Sequence, residues 1–271
     1  MSKKVIIISP NPESYITTSV CELLLRENIF IQAVIVKKFT FKRFKDEFAR
    51  DGTRLLKKIW NKLILKSKIY DELNNENIIF FRSQNNINLK NVNELSQNGT
   101  SIINVDDINS IFIENILKEL KPDLVVFTGG GLIKGNILKN SGAGVVNCHM
   151  GVLPMYRGMD VVEWPILNKD WGNIGLTIHF MEKGIDTGDI LKIHHIPLKS
   201  NDTIKKLRVR FEPIMVTQLT KTVNDFLNNN ITLTKQKLED GKQFFIMDEK
   251  LLYLAEQKLK TYLNKKWISV K

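Results

Sequence analysis

The sequence feature that most constrains the fold is a series of short apolar runs separated by helix-like segments. Val5–Ile8 and Ile29–Val36 are two such runs, and Leu124–Thr128 and Val145–His149 are two more. An amphipathic segment, Asp107–Leu120, precedes the second pair. Apolar runs without polar alternation are typical of strands that are buried on both faces. The alternation therefore predicts an α/β fold: an open, mostly parallel sheet with helices on both faces.

Other stretches predict additional elements and a division of the chain. We expect one large domain over residues 1–200, with a basic helical insertion at about 37–70, and a helical or extended C-terminal appendage over 201–271. The helices expected are 14–28, Thr203–Asn228 and Asp248–Leu263, and the short strands expected are Ile78–Phe81, Ile102–Val105, Leu176–Phe180 and Ile190–Ile196. Ile231–Leu238 and Phe244–Met247 are predicted as two short strands or extended pieces, and Asn85–Asn98 as a loop.

The positive charge of the chain is concentrated in one segment. The 271 residues carry a formal net charge of +11. Twelve basic residues lie between Lys37 and Lys68, against only Asp46, Glu47 and Asp51. Such a segment indicates either a solvated helix face or recognition of an anionic partner: nucleic acid, a nucleotide or a membrane surface. Its Phe and Leu side chains are spaced as for packing on a helix.

Cysteine usage and hydropathy bear on the compartment. Cys21 and Cys148 cannot build a disulfide framework, and no secretory leader pattern precedes Val5. No apolar stretch reaches the roughly 20 residues that span a bilayer. We therefore expect a cytoplasmic protein with no membrane span. The spacing of Cys148, His149, His179 and Asp186 matches no common zinc site, so no metal is expected.

Four polar residues are candidates for chemistry. Asn147 and His149 are two residues apart at the end of a predicted strand, so their side chains point to the same face. His179 and Asp186 follow about thirty residues later. A carboxylate near an imidazole fixes its tautomer, and an amide donates to a developing oxyanion, which together suit acyl transfer to an amine. The alternative is a buried hydrogen-bond network. For His179 we favour a structural role over a catalytic one.

Gly129–Gly131 follows a predicted strand directly. Ligands of open α/β sheets bind beyond the carboxyl ends of the strands, which favours a ligand loop over a plain tight turn. The segment lacks the Lys-Ser or Lys-Thr ending of a phosphate-binding loop.

Several linked motifs resemble those of one enzyme family. These motifs are Asn147-Cys-His149, Leu153-Pro-Met-Tyr-Arg-Gly158, Gly175-Leu-Thr-Ile-His179 and Asp186-Thr-Gly188. The sequence resembles the folate-dependent formyltransferases, which include the glycinamide ribonucleotide, methionyl-tRNA and nucleotide-sugar formyltransferases. The resemblance spans about residues 5–200. It implies a Rossmann-like catalytic domain, an enzyme that uses 10-formyltetrahydrofolate as co-substrate, and no metal.

The resemblance also implies roles for individual residues. Asn147 would polarise the formyl oxygen, His149 would transfer protons and contact that oxygen, and Asp186 would tune the imidazole and help to remove the amine proton. The folate would be held by two segments: Gly129, Gly130, Gly131, Leu132 and Ile133 in the first, and Phe180, Met181, Glu182, Lys183, Gly184 and Ile185 in the second. Arg157 would contact substrate or brace its loop.

The acceptor is the open question at the level of the sequence. The chain departs from the family pattern at Met150-Gly151, at the turn 9–12 and at Glu163-Trp164. The length after Ser200 best resembles a nucleotide-sugar N-formyltransferase of polysaccharide biosynthesis, with a small-molecule amine acceptor and a homodimer as a compatible assembly. One alternative is formylation of an aminoacyl-tRNA, with tRNA as partner. Another is a non-catalytic protein of the same fold that binds an anionic ligand.

Overall fold

The computed structural model describes residues 3–38, Thr40, Lys45 and 68–268. Its central element is a seven-stranded β-sheet. The strand order is β3-β2-β1-β4-β5-β7-β8. The first five strands in this order are parallel, and β7 is antiparallel to both of its neighbours, β5 and β8. A separate pair, β6 and β9, is parallel. The strands are β1 Lys4–Ser9, β2 Phe30–Lys37, β3 Ser101–Val105, β4 Leu124–Phe127, β5 Val145–His149, β6 Tyr156–Gly158, β7 Gly175–Phe180, β8 Ile190–His195 and β9 Lys242–Phe244.

Helices cover both faces of this sheet, which confirms the predicted α/β class. Each face has its own apolar cluster: one contains Val5 and Ile7, and the other contains Ile6 and Ile8. Alternate residues of β1 thus point to opposite faces, and both faces are buried. The described helices are α1 Tyr15–Arg26, α2 Lys68–Gln84, α3 Ile111–Leu120, α4 Gly135–Leu138, α5 Glu163–Leu167, α6 Ile204–Leu227 and α7 Glu249–Ile268, with short 3-10 turns at Val92–Asn98, Trp171–Asn173 and Leu238–Asp240.

Side-chain caps explain where two of the helices begin. Ser14 precedes α1, and its hydroxyl accepts a hydrogen bond from the Thr17 backbone N–H. Thr203 precedes α6 and accepts from the Lys206 N–H in the same way. The predicted helices at 14–28, 203–228 and 248–263 are confirmed as α1, α6 and α7, of which α7 continues to Ile268.

One predicted strand is wrong. Ile78–Phe81 lies inside α2, where Ile78 is buried while Phe80 is 65% exposed, as expected for one-sided burial of a helix. A run of four apolar residues cannot distinguish the two structures by itself. Ile231–Leu238, predicted as a short strand or an extended piece, is not a strand; Thr234 makes an isolated bridge to Ile190 at the start of β8. The pairing of β6 with β9 was not predicted.

The C-terminal helices pack on the same core as the sheet. Leu207 and Phe211 of α6 and Leu259 of α7 belong to the apolar cluster that contains Val5. The division at residue 200 stays a prediction. Most of the basic segment, including its predicted helical insertion, lies outside the described residues. Among the described helices, none is both long enough and apolar enough to cross a bilayer.

The order of the strands determines where a ligand site can lie. β1 lies between β2 and β4, so the chain progresses in opposite directions from β1 on either side. In open α/β sheets this switch point, at the carboxyl ends of the strands, is where ligands bind. Gly129 follows β4, and His149 ends β5, so both lie at this edge.

Candidate active site

The pairing of β5 with β7 brings the candidate residues together. Asn147 is the register partner of His179, and His149 is the partner of Thr177. The amide nitrogen Nδ2 of Asn147 lies 3.3 Å from Nε2 of His179. His179 of the neighbouring strand thus lies beside Asn147. Three of the four polar candidates therefore come from two paired strands.

Asp186 reaches these strands from the loop between β7 and β8. Its carboxylate oxygen Oδ2 lies 3.4 Å from Nδ1 of His149 and accepts a 2.9 Å hydrogen bond from the Gly158 backbone N–H. Its other oxygen, Oδ1, lies 3.6 Å from Nε2 of His179. The carboxylate is therefore adjacent to both imidazoles.

The contacts of His179 define its protonation. Nδ1 lies 2.7 Å from the carbonyl oxygen of Phe180, which only accepts, so Nδ1 carries the proton. Nε2 is then an acceptor for the amide of Asn147. Burial lowers the pKa of His179 to about 4, an effect that the neighbouring His149 reinforces and Asp186 opposes. His179 is thus neutral at pH 7 and orients the amide of Asn147.

The contacts of His149 define which of its nitrogens faces the site. Nε2 lies 2.8 Å from the carbonyl oxygen of Tyr156, so this nitrogen donates. The proton that His149 can exchange is therefore the one at Nδ1, beside the carboxylate of Asp186. His149 itself is 7% exposed.

The loop after β4 has the backbone of a ligand loop. Gly129, Gly130 and Gly131 have φ angles of +138°, +129° and +108°, a region that favours glycine. The ammonium of Lys37 donates to the Gly130 carbonyl at 2.8 Å. Leu132 is 74% exposed, whereas Ile133 is buried.

The side chain of Asn109 fixes the end of this loop by two hydrogen bonds. Its side-chain amide donates to the Leu132 carbonyl at 2.9 Å and accepts from the Lys134 backbone N–H at 2.6 Å. The loop is therefore fixed at both ends, by Lys37 and by Asn109, while its glycine backbone stays accessible.

The second predicted folate segment divides between core and surface. Phe180 is buried in the core and packs edge-on against Phe226 of α6. Met181 is half-buried, with its N–H donating to the Val145 carbonyl at 2.7 Å. Glu182, Lys183, Gly184 and Ile185 are exposed beside Asp186. The structure thus brings Met181–Ile185 to the edge of the site, and Phe180 supports them from the core.

The loop 153–158 is braced from outside the sheet. Both terminal nitrogens of Arg157 donate to backbone carbonyls of the C-terminal segment, those of Leu238 and Gly241. Arg157 therefore braces its loop in this structure. Glu163, one of the departures from the family pattern, is buried and makes two hydrogen bonds to Arg208 of α6.

A cavity of about 470 Å³ opens beyond β1, β2 and β3, lined by Pro10, Asn11, Pro12, Val36, Lys37, Lys38 and Asn104. Proline has no backbone N–H, and the N–H of Glu13 is taken by the side chain of Asn11 at 3.0 Å. The turn after β1 therefore offers few backbone donors to an anion, and the lysine side chains supply the positive charge here.

Neither cysteine has the environment of a nucleophile. Burial raises the pKa of both thiols, Cys21 and Cys148, to about 12. Within the part of the chain that the structure describes, no three His, Cys, Asp or Glu side chains are arranged to hold a metal ion.

Comparison with known proteins identifies the domain that carries this geometry. A family model described as formyl transferase matches residues 112–223, which include the four polar residues and the glycine loop. Residues 112–223 are thus similar to the formyl transferase family. The resemblance predicted from the motifs is thereby confirmed.

A relative with a known activity matches about half of this chain. A methionyl-tRNA formyltransferase of Clostridium tetani (strain Massachusetts / E88) is 32% identical over 136 residues, 50% of this chain and 44% of that relative. The chain thus spans less than half of its length.

Two solved structures share the fold. A phosphoribosylglycinamide formyltransferase from Bacillus halodurans has a TM-score of 0.55 at 17% identity, covering 83% of this chain and 95% of its own. An N-formyltransferase from Helicobacter canadensis, solved with folinic acid and dTDP-3-aminofucose, has a TM-score of 0.57 at 18% identity, covering 96% and 81%.

Sequence reasoning missed the contacts made by the backbone and by the C-terminal segment. The Gly158 N–H and the Tyr156 carbonyl each bind a candidate residue, and the motif Leu153–Gly158 was the signal for them. The side chain of Gln236 donates to the Asp186 carbonyl at 3.0 Å. No local pattern marks Gln236, because its partner lies fifty residues earlier in the chain.

Proposed function

We propose that this chain transfers a formyl group from 10-formyltetrahydrofolate to an amine. The observation that carries this proposal is the convergence of Asn147, His149 and Asp186 at the carboxyl end of β5, within the formyl transferase domain. An amide donor, an imidazole and a carboxylate together suit acyl transfer to an amine.

The amide of Asn147 would stabilise the charge that develops on the formyl oxygen. One of its two Nδ2 hydrogens is directed to His179, which leaves the other to donate to that oxygen. Since His179 is neutral and its ring is fixed by the Phe180 carbonyl, the amide is oriented before substrate binds. Such preorganised donors are worth about 3–4 kcal/mol of the activation barrier.

Protons would move through His149 and Asp186. The incoming amine is nucleophilic only when neutral, so a base must take its proton, and the leaving nitrogen of the folate must gain one. Nδ1 of His149 and Oδ2 of Asp186 lie 3.4 Å apart and can hold that proton between them. The amine loses one proton and the leaving nitrogen gains one, so the reaction is balanced without a metal or an oxidant.

The co-substrate fits the residues beside the site. 10-Formyltetrahydrofolate supplies the formyl group when it is bound. The backbone of Gly129–Gly131 can approach a flat ring closely because no side chain intervenes, and Leu132 and Met181–Ile185 would line the opposite side. Asn109 and Lys37 hold the glycine loop in place for this contact.

For the acceptor we favour an amino sugar linked to a nucleotide. The Helicobacter canadensis N-formyltransferase, solved with dTDP-3-aminofucose, matches nearly the whole chain, including the residues after Ser200. The alternative acceptor is an aminoacyl-tRNA, because the C. tetani relative is a methionyl-tRNA formyltransferase. A homodimer stays a prediction under either acceptor.

An assay with 10-formyltetrahydrofolate tests the reaction and the acceptor together. The acceptors are a panel of dTDP- and UDP-linked amino sugars, and charged initiator tRNA. We expect a formamide product from an amino sugar, detected by its mass increase, and about 100- to 1000-fold slower product formation by the Asn147→Ala variant.

Control outcomes separate the hypotheses. Formylation of tRNA that weakens steeply with added salt would favour the tRNA enzyme, because phosphate contacts are salt-dependent. If no acceptor is formylated while the protein still binds a nucleotide or nucleic acid, the non-catalytic alternative replaces the proposed enzyme.

A further inference from the structure

The C-terminal segment 234–244 is connected to Asp186 in two ways, directly through Gln236 and indirectly through Gly158. The first is the side chain of Gln236, whose amide Nε2 lies 3.0 Å from the Asp186 carbonyl and 2.5 Å from that of Gly188. One amide group thus donates to two carbonyls on the same turn. The neighbouring Thr234 bridges to Ile190 by a backbone hydrogen bond in each direction, at 2.8 and 2.9 Å, which fixes the position of Gln236.

The second route runs through the pairing of β9 with β6. Gly158 is the register partner of Phe244, and its N–H donates to Oδ2 of Asp186. A Cβ atom on Gly158 would lie 2.2 Å from the Phe244 carbonyl oxygen, so only glycine allows this approach. Segment 234–244 therefore holds the backbone of Asp186 through Gln236 and the donor to its carboxylate through β9.

Asp186 needs such support because its backbone is strained. Its φ angle of +54° lies in the left-handed region, which is disfavoured for residues other than glycine. Conformations of this kind persist where surrounding contacts hold them. The two bonds of Gln236 act on the turn that carries the strained residue, and this conformation brings the carboxylate to 3.4 Å from His149.

We propose that Gln236 is a positioning residue that holds the Asp186 carboxylate against His149. This inference rests on the proposed formyl transfer, in which Asp186 and His149 share a proton. Within the described part of the chain, the Oε1 atom of Gln236 is buried with no hydrogen-bond partner. The hydrogen bonds of this side chain are therefore the two that its Nε2 donates to the Asp186 and Gly188 carbonyls.

Two variants and two controls test the proposal. Gln236→Ala removes both donors, and Gln236→Glu keeps the size of the side chain but replaces the donors by carboxylate oxygens that face two carbonyls. Lys235→Ala changes an exposed neighbour, and Thr234→Ala leaves the backbone bridge in place. We expect kcat to fall roughly 10- to 100-fold in both Gln236 variants, with the KM for the folate little changed, because misplacement of a reacting group affects the chemical step. Both controls should match the wild type.

A second measurement does not depend on activity. The ring ¹⁵N chemical shifts of His149 and His179 report the protons at their nitrogens, and His194 and His195 serve as internal references. We expect the His149 signals to move in both Gln236 variants while the His194 and His195 signals keep their wild-type positions, which shows that the variants are folded.

The outcomes distinguish this proposal from the proposed function. Wild-type His149 shifts together with wild-type kcat in Gln236→Glu would mean that Gln236 only fills space, and the proposal would be wrong. If the wild type formylates no acceptor, the proposed function fails, and the ¹⁵N shifts still decide whether Gln236 positions Asp186.

Discussion

At the scale of single residues, the described contacts assign different tasks to two similar histidines. His179 is 1% exposed, and its Nδ1 donates to a backbone carbonyl, so it is a neutral acceptor for Asn147. His149 donates from Nε2 and meets Asp186 at Nδ1. The chemical difference comes from which nitrogen meets a carbonyl and which meets a carboxylate.

Replacement of Asn147 tests the oxyanion role. We expect Asn147→Ala to lower kcat by about 100- to 1000-fold, because one preorganised donor is lost. The melting temperature should change little, since Asn147 is only partly buried and its amide makes one long hydrogen bond. Steady-state kinetics and thermal unfolding of the same preparations check both parts. An unchanged kcat would contradict the role.

The low pKa of His179 predicts a pH-dependent stability. The folded pKa of about 4 lies below the value of 6.5 for a free imidazole, so the unfolded state binds more protons between these values. His179 therefore contributes stability that is present above pH 6.5 and is lost as the pH falls towards 4. The loss is on the order of 2–3 kcal/mol.

Denaturant unfolding at several pH values between 7 and 4 measures this contribution. The His179→Asn variant should show a flatter pH dependence than the wild type, and His195→Asn, a change at an exposed histidine, should behave as the wild type does. Parallel curves for His179→Asn and the wild type would contradict the assignment.

At the scale of elements, a buried arginine joins α2 to α1. Arg82 is 7% exposed and donates to the hydroxyls of Thr18 and Ser19, each at 2.8 Å, and to the Leu89 carbonyl at 2.6 Å. Burial lowers its pKa. Its partners are hydroxyls and carbonyls, so hydrogen bonds satisfy the guanidinium.

Arg82→Ala should destabilise the folded state by about 2–4 kcal/mol, because a buried hydrogen-bonded network is broken. Lys90→Ala, at an exposed site nearby, is the matched control. Equilibrium unfolding in urea measures both free energies. Equal values for the two variants would show that Arg82 does not join the helices.

At the scale of the whole molecule, one core extends from the first strand to the last helix. Val5 of β1, Phe211 of α6 and Leu259 of α7 belong to one cluster of buried side chains. The segment between α6 and α7 also carries Gln236 and β9 to the candidate site. The residues after Ser200 therefore share a core with the sheet and contact the site.

We expect a single unfolding transition that includes both parts of the chain. Leu259→Ala should lower the free energy of unfolding by about 2–5 kcal/mol without splitting that transition. Leu254→Ala on the same helix is the control, because Leu254 is 43% exposed. Circular dichroism and tryptophan fluorescence should give coincident curves. Two separate transitions would instead support an independent appendage.

The sequence predicted elements well where the signal is local. The strands at Val145–His149 and Leu124–Phe127 follow from continuous apolar runs, and the same-face placement of Asn147 and His149 follows from the two-residue period of a strand. The prediction failed for Ile78–Phe81, because a short apolar run fits one side of a helix as well as a strand.

The sequence by itself therefore determined the class of fold, the position of the glycine loop and the placement of Asn147 and His149 on the same face of one strand. Only the tertiary structure brought Asp186 next to His149 and determined which ring nitrogen of each histidine carries a proton. It also placed Gln236 within hydrogen-bond distance of the Asp186 carbonyl. The physical reason is distance along the chain: periodicity acts over a few residues, whereas these contacts join loops that meet only after the sheet has formed and the C-terminal segment has packed on its edge.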